Sequence, residues 1–101
     1  MPKLFEYFGI VVFFYSNEHE PVHVHGRCRG RETRAELTIE NGKVTAIKYT
    51  AVRGRRPLQR AQFADFRELV EHLATEILGK WIDYFVLHRP VQPRTITRRI
   101  K

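Results

Sequence analysis

The stretch "RETRAELTIENGKVTAIKYT", residues 31–50, decides the fold class because it contains two alternating segments joined by a tight turn. In its first half apolar and polar side chains alternate, which is typical of a strand with one buried face. The Asn41-Gly42 pair that follows is a strong hairpin signal, since both residues tolerate a positive φ. A two-residue loop predicts three cross-strand pairs: Ile39 with Val44, Leu37 with Ala46, and Glu40 with Lys43.

Two more strands are predicted before this hairpin. The run "GIVVFFYS", residues 9–16, has six β-forming residues after a glycine and fits a strand that is apolar on both faces. The run "PVHVHGRCRGR", residues 21–31, alternates strictly and should pair back on that strand after the turn "NEHEP". Residues 1–8 are interpreted as a short lead-in, so the predicted sheet is a four-stranded antiparallel meander.

The hydrophobic period changes after an arginine-rich loop, "VRGRRPLQR", at residues 52–60. From about Ala61, apolar residues recur at steps of three and four, which is the pattern of an amphipathic helix. Pro90 ends this pattern. Gly79 costs about 1 kcal/mol relative to alanine inside a helix and could mark a break.

We therefore predict an α+β fold, in which a four-stranded antiparallel β-meander packs against one long C-terminal α-helix. The segment "RTITRRI" could add a C-terminal edge strand. One domain should cover residues 1–101, with a sheet portion at 1–60, a helix at 61–89 and a basic tail at 90–101. An exposed edge strand in so small a sheet could also pair two copies into a homodimer.

The composition favours a folded and basic protein. Hydrophobic residues make up 43% of the chain, which argues against an unfolded state, and 18 Lys+Arg against 11 Asp+Glu give a net charge of +7. This charge favours phosphate-rich or acidic partners, although it could also serve solubility alone. The apolar run at 10–15 is too short to span a membrane, and the single Cys28 can form no internal disulfide, so a cytoplasmic location is expected. The candidate phosphate contacts are Arg27, Arg29, Arg31, Arg53, Arg55, Arg56, Arg98 and Arg99.

The strand at residues 21–31 is predicted to carry basic side chains on one face. Side chains of a strand point alternately to opposite faces, and neighbours on one face stand about 6.6 Å apart. Such a row of donors could follow a polyanion, or it could be the solvated half of an amphipathic strand. The residues of this predicted row are His23, His25, Arg27, Arg29 and Arg31.

The histidines of this strand allow two further hypotheses. His23 and His25 could share a Zn²⁺ or Fe²⁺ ion, with His19 from the turn as a third ligand, although the neighbouring Arg27 would disfavour a dication. Alternatively, the two histidines could cleave RNA without a metal or any other cofactor. One imidazole would take the 2′-hydroxyl proton and the other would protonate the leaving oxygen, with Tyr15 nearby on the adjacent strand.

The segment "FGIVVFFYSNEHEPVHVHG", residues 8–26, resembles the signature of a family of small bacterial proteins known as domain of unknown function 4160. The segment at 79–101 is similar to the longer members. The resemblance implies that His19, His23 and His25 belong to a family motif, whereas the arginine row does not. Genes of this type often lie beside a gene for another small domain, which implies a toxin–antitoxin-like pair. The matching residues are Tyr15, Asn17, Glu18, His19, Pro21, His23 and His25.

Together these patterns predict a small nucleic-acid-binding protein, with RNA as the favoured target, that could form half of a toxin–antitoxin-like pair. Two alternatives remain open from the sequence. The chain could be an interaction module whose basic face docks an acidic protein, or it could be a small histidine-rich metalloprotein.

Overall fold

The computed structural model describes residues 2–16 and 21–100 of the chain. Within these residues, six strands form one sheet in the order β5-β4-β3-β2-β1-β6, in which β6 is parallel to β1 and every other pair is antiparallel. The helical segments follow β5. In chain order the elements are β1 (Lys3–Tyr7), β2 (Ile10–Phe13), β3 (His23–Cys28), β4 (Arg31–Glu40), β5 (Lys43–Ala51), α1 (Arg60–His72), α2 (Ala74–Trp81), a π-helical segment (Ile82–Val86) and β6 (Arg94–Ile96).

The α+β class is confirmed, but the predicted four-stranded meander is wrong in detail. The lead-in at residues 1–8 contains β1, which pairs with β2 through a two-residue turn at Phe8 and Gly9. This strand was missed because "KLFEY" does not alternate cleanly and phenylalanine, rather than asparagine, precedes the turn glycine. The tail gives the expected edge strand, β6, which extends the sheet beyond β1.

The hairpin at Asn41-Gly42 forms as predicted, with both residues at positive φ. Ile39 pairs with Val44 and Glu40 pairs with Lys43, as the two-residue loop requires. The prediction for Leu37 is wrong by one position, because it pairs with Ile47 instead of Ala46. The cause is a register shift between Thr38 and Ile39, the kind of bulge that a strictly alternating pattern does not reveal.

The predicted strand at 21–31 is cut by a turn. Arg29 and Gly30 both have positive φ, so β3 ends at Cys28 and β4 begins at Arg31. Basic residues happen to keep alternating with small ones through this turn. The boundary between the two strands is therefore not visible in the sequence. The basic row therefore does not extend along one strand, and Arg31 belongs to the neighbouring strand.

The predicted single helix at 61–89 is two helices followed by the π-helical segment. The break lies at Leu73, whose φ of −111° and ψ of 20° leave the helical region, and not at Gly79, which lies inside α2. The change of direction lets both short helices keep an apolar side on a twisted sheet. No helix in the described ranges is long and apolar enough to cross a membrane. The buried helix residues include Phe66, Leu69, Val70, Ala74, Ile77 and Trp81.

The helices cover one face of the sheet, and β3 shows how closely they approach. Gly26 lies on this face, and a Cβ atom placed there would be 2.6 Å from the ring of Phe66. Cys28 also lies on this face as a buried free thiol, and the Gln62 amide lies 3.4 Å from its sulfur. The alternating residues of β3, including His25 and Arg27, point to the opposite face, where the candidate site is built.

Candidate nucleic-acid interface

Strand direction brings four separate segments of the chain to one end of the sheet. β1, β3, β5 and β6 run toward this end, whereas β2 and β4 start from it. The segments that leave the sheet there are the turns at 8–9 and 29–30, the loop at 52–59 and the tail at 97–100. We call this end the arginine-rich end, because it gathers all the predicted phosphate contacts: Arg27, Arg29, Arg31, Arg53, Arg55, Arg56, Arg98 and Arg99.

Backbone contacts hold two of these segments together. The amide of Glu32 donates to the carbonyl of Arg56 over 2.9 Å, and Arg31 forms a parallel bridge with Arg56. The Arg31 guanidinium also donates to the carbonyl of Pro57 over 3.2 Å. The loop at 52–57 is therefore fixed against the start of β4, and its arginines are held beside those of the 29–30 turn.

The centre of the site is Glu32, whose side chain is 0% exposed. Its carboxylate accepts hydrogen bonds from the Tyr15 hydroxyl at 2.9 Å and from Arg27, whose Nε and Nη2 lie 3.2 and 3.1 Å away. The Nδ1 atom of His25 lies 3.0 Å from Oε2, the oxygen that also accepts from Tyr15. Nε of Arg55 lies 3.9 Å from Oε1, the oxygen that faces Arg27. A buried carboxylate needs such partners, because an isolated buried charge is very costly.

The sequence analysis missed Glu32 and treated it only as the acid that ends the basic row. The turn at Arg29 and Gly30 places Glu32 directly opposite Arg27 on the neighbouring strand. The available signal for this turn was its glycine, Gly30, which follows a residue that must adopt a positive φ. Recognising it would have paired the acid with the arginine.

The Glu32 cluster consists of Glu32 and the side chains that face it. Tyr15 and Arg27 form its partly exposed side. Arg27 Nη2 donates to the Tyr15 hydroxyl over 3.1 Å, and its guanidinium lies 5.0 Å from the centre of the Phe13 ring. Burial and the hydrogen bond to Glu32 raise the pKa of the Tyr15 phenol above its ordinary value. The phenol therefore stays protonated at neutral pH, as its donation to Glu32 requires.

His23 and His25 of β3 are buried, so the prediction that they share an exposed row with the arginines is wrong. His23 and His25 are 6% and 5% exposed, and their ring centres lie 5.3 Å apart. His25 stacks on Phe13 at 5.5 Å, and His23 lies 5.4 Å from Trp81 while its Nδ1 is 2.7 Å from the carbonyl of Pro21. Aromatic neighbours on the adjacent strand and on α2 thus enclose the imidazoles.

The three-histidine metal site cannot be located, because His19 lies outside the described residues. Among the residues that are described, no group of three or more histidine, cysteine, aspartate or glutamate side chains is arranged to hold a metal ion.

Apart from Arg31, which donates to the carbonyl of Pro57, the arginines of the arginine-rich end fall into two groups. Arg27 and Arg55 face Glu32, and Arg99 pairs with Asp65 on α1. In contrast, the exposed Arg53 and Arg56 have no acidic side chain within ion-pair distance in the described part of the chain, and the same holds for Arg29 and Arg98. These four side chains supply positive charge that the described structure does not neutralise.

The comparisons with known proteins identify a family and no activity. The model of a family described as a domain of unknown function, DUF4160, matches residues 9–82. This range contains the Glu32 cluster and most of the sheet, but it leaves out the tail. No curated protein and no solved structure matches the chain.

Proposed function

This chain belongs to the family described as a domain of unknown function, DUF4160, and we propose that it binds nucleic acid, with RNA as the favoured target, through its arginine-rich end. The observation that carries this proposal is the convergence of arginines from three segments that are distant in sequence: the 29–30 turn with its flanking strand ends, the loop at 52–59 and the tail at 97–100. Guanidinium groups suit this task because their planar set of donors matches phosphate oxygens.

The Glu32 cluster supports the same proposal by giving the arginine-rich end a rigid base. Glu32 holds Arg27 on the ring of Phe13 and keeps Arg55 of the loop within 3.9 Å. Arg53 and Arg56 flank Arg55 on the same loop and are exposed. A ligand phosphate would therefore meet guanidinium groups on a fixed backbone, so that less conformational freedom is lost on binding.

The first test removes positive charge at this end. We expect the double variant Arg53→Gln/Arg56→Gln to bind single-stranded RNA more weakly than the wild type. The slope of log affinity against log salt should fall by about 1.4, because each lost phosphate contact contributes about 0.7 for single strands. Fluorescence anisotropy at several salt concentrations measures both quantities.

The matched control removes two positive charges elsewhere. Lys43 is the first residue of β5, at the opposite end of the sheet, and Arg67 is an exposed residue of α1. Lys43→Gln/Arg67→Gln should change affinity and salt slope much less. Equal losses in the two double variants would mean that only net charge matters, and the proposed interface would be wrong.

An acidic protein is the alternative occupant of the arginine-rich end, and it would suit a toxin–antitoxin-like pair. Such a partner would neutralise the same arginines. Co-purification of a stoichiometric acidic protein, lost in Arg53→Gln/Arg56→Gln, together with RNA binding that does not depend on salt, would favour this alternative over nucleic acid.

A second candidate function, RNA cleavage, is favoured by the spacing of the histidines. The rings of His23 and His25 lie 5.3 Å apart, and Tyr15 and Arg27 stand beside His25. In this scheme one imidazole removes the 2′-hydroxyl proton, O2′ attacks phosphorus, and a second group protonates the departing 5′-oxygen. The products would be a 2′,3′-cyclic phosphate and a 5′-hydroxyl, with Arg27 stabilising the charge on phosphorus.

The cleavage proposal predicts that His25→Gln and Tyr15→Phe each lower the cleavage rate by about 10²-fold or more, the contribution typical of one acid–base group. RNA binding should change little in both. His72→Gln is the control, because His72 is an exposed residue of α1. Product analysis by mass spectrometry identifies the cyclic phosphate, and cleavage that survives His25→Gln at the wild-type rate would contradict the scheme.

A further inference from the structure

The hairpin turns of the sheet differ in a way that separates its two ends. Within residues 2–16 and 21–100, three hairpins are closed by a two-residue turn in which both residues have positive φ. Asparagine followed by glycine is the favoured pair for such turns, because other side chains strain the backbone at the first position. The turns are Phe8-Gly9, Arg29-Gly30 and Asn41-Gly42.

The favourable pair lies at the end away from the arginines, and the two strained turns lie at the arginine-rich end. Arg29 has a φ of 51° and Phe8 has a φ of 48°, both in the left-handed region. Strained backbone of this kind clusters at functional sites, where a particular side chain is needed in spite of its conformation. This pattern indicates that the side chains of Arg29 and Phe8 are needed where they are.

Phe8 is unusual in a second respect, because a large aromatic ring at the tip of a turn is 47% exposed. The Arg99 guanidinium lies 4.1 Å from the centre of the ring, and Tyr7 meets it edge-on at 4.9 Å. Arg99 is held in turn by Asp65. The ring is therefore fixed in one orientation while about half of its surface remains open to a ligand.

We infer that Phe8 is a stacking contact for an unpaired base, so that the arginine-rich end binds single-stranded nucleic acid. This inference rests on the proposed function and names its substrate class. Single-strand binding sites combine positive charge along the backbone with aromatic rings on which bases stack. Both are present here, because Phe8 and Arg29 lie in turns at the same end of the sheet, and a Cβ atom placed on Gly9 would be 3.9 Å from the sulfur of Cys28, the residue before Arg29.

The test separates the effect of losing the Phe8 ring from the effect of changing the backbone strain in its turn. Phe8→Asn removes the ring and places the favoured residue in the turn, so the midpoint of thermal unfolding should not fall. Affinity for an oligouridylate of about 12 nucleotides should fall by about fivefold to 150-fold, the value of one base stacked on an aromatic ring. Affinity for an abasic chain of the same length, which has phosphates and no bases, should not change.

Two further variants keep the inference falsifiable. Phe8→Leu keeps an apolar side chain and the strained turn, and it should lose the preference for the oligouridylate over the abasic chain, whereas Phe8→Trp should keep that preference. Leu87→Asn removes an apolar side chain that is also 47% exposed, away from this turn, and should have no effect.

Failure of the base-stacking inference can be distinguished from failure of the proposed function. Equal affinity of the wild type for the oligouridylate and the abasic chain would overturn the base-stacking inference and leave charge-driven binding intact. Wild-type protein that binds neither chain would overturn the proposed function together with the inference. Loss of self-association in Phe8→Asn, measured by sedimentation, with no change in oligouridylate affinity would assign the ring to a contact between copies of the chain instead.

Discussion

Glu32→Ala should lower the free energy of unfolding by about 3 kcal/mol, the lower end of the usual cost of removing one partner from a buried ion pair, because Arg27 and Arg55 are partly exposed and water can reach them. The substitution would leave Arg27, Arg55 and the Tyr15 hydroxyl without the carboxylate that faces them in the folded protein. The backbone bond between Glu32 and Arg56 would remain, because it does not use the side chain. The loss of stability therefore measures the contribution of the Glu32 side chain and its partners.

Urea denaturation measures this change, and Glu40→Ala is its control. Glu40 is an exposed residue beside the Asn41-Gly42 turn, so its replacement should change stability by no more than about 0.5 kcal/mol. Glu32→Gln should fall between the two, since an amide keeps the size and one acceptor but loses the charge. A loss below about 1 kcal/mol for Glu32→Ala would show that water, and not the carboxylate, satisfies Arg27 in the folded protein.

The parts of the fold that were predictable are those in which local chemistry and pattern agree. The β4–β5 hairpin has strict alternation and a glycine turn preceded by asparagine, and it forms where expected. The register shift beyond Thr38 was not predictable, because a bulge adds one residue without changing residue types. β1 was not predictable either, because its turn carries Phe8 in a conformation that the residue disfavours.

The arginines of the candidate site could be proposed from the sequence, but neither Glu32 at its centre nor the arrangement could. The eight arginines were chosen for their charge, and their meeting at one end depends on the direction of each strand, and so on turns that the sequence hides. The burial of His23 and His25 could not be predicted, because it depends on aromatic side chains from other elements that meet them only in the folded protein. Phe13 and Tyr15 lie against His25, and Trp81 of α2 lies against His23.

The second large effect on stability is expected at Gly26, where the sheet packs against α1. Gly26→Ala should lower the free energy of unfolding by about 3 kcal/mol, the upper part of the range for an overpacked core, because the new Cβ would lie 2.6 Å from the Phe66 ring. Gly79→Ala is the matched control. No atom lies within 4 Å of a Cβ at Gly79, and the residue is inside α2, so the same substitution should raise stability by about 0.4–1 kcal/mol.

A double-mutant cycle shows whether the clash is the cause. Phe66→Ala alone should lower the free energy of unfolding by about 3–5 kcal/mol through the cavity that it leaves. In Gly26→Ala/Phe66→Ala the new methyl group occupies part of that cavity, so the double variant should be more stable than the sum of the single losses by about 0.5–3 kcal/mol. Additive losses, measured by urea denaturation of all four proteins, would mean that contact with the Phe66 ring is not the cause of the destabilisation in Gly26→Ala.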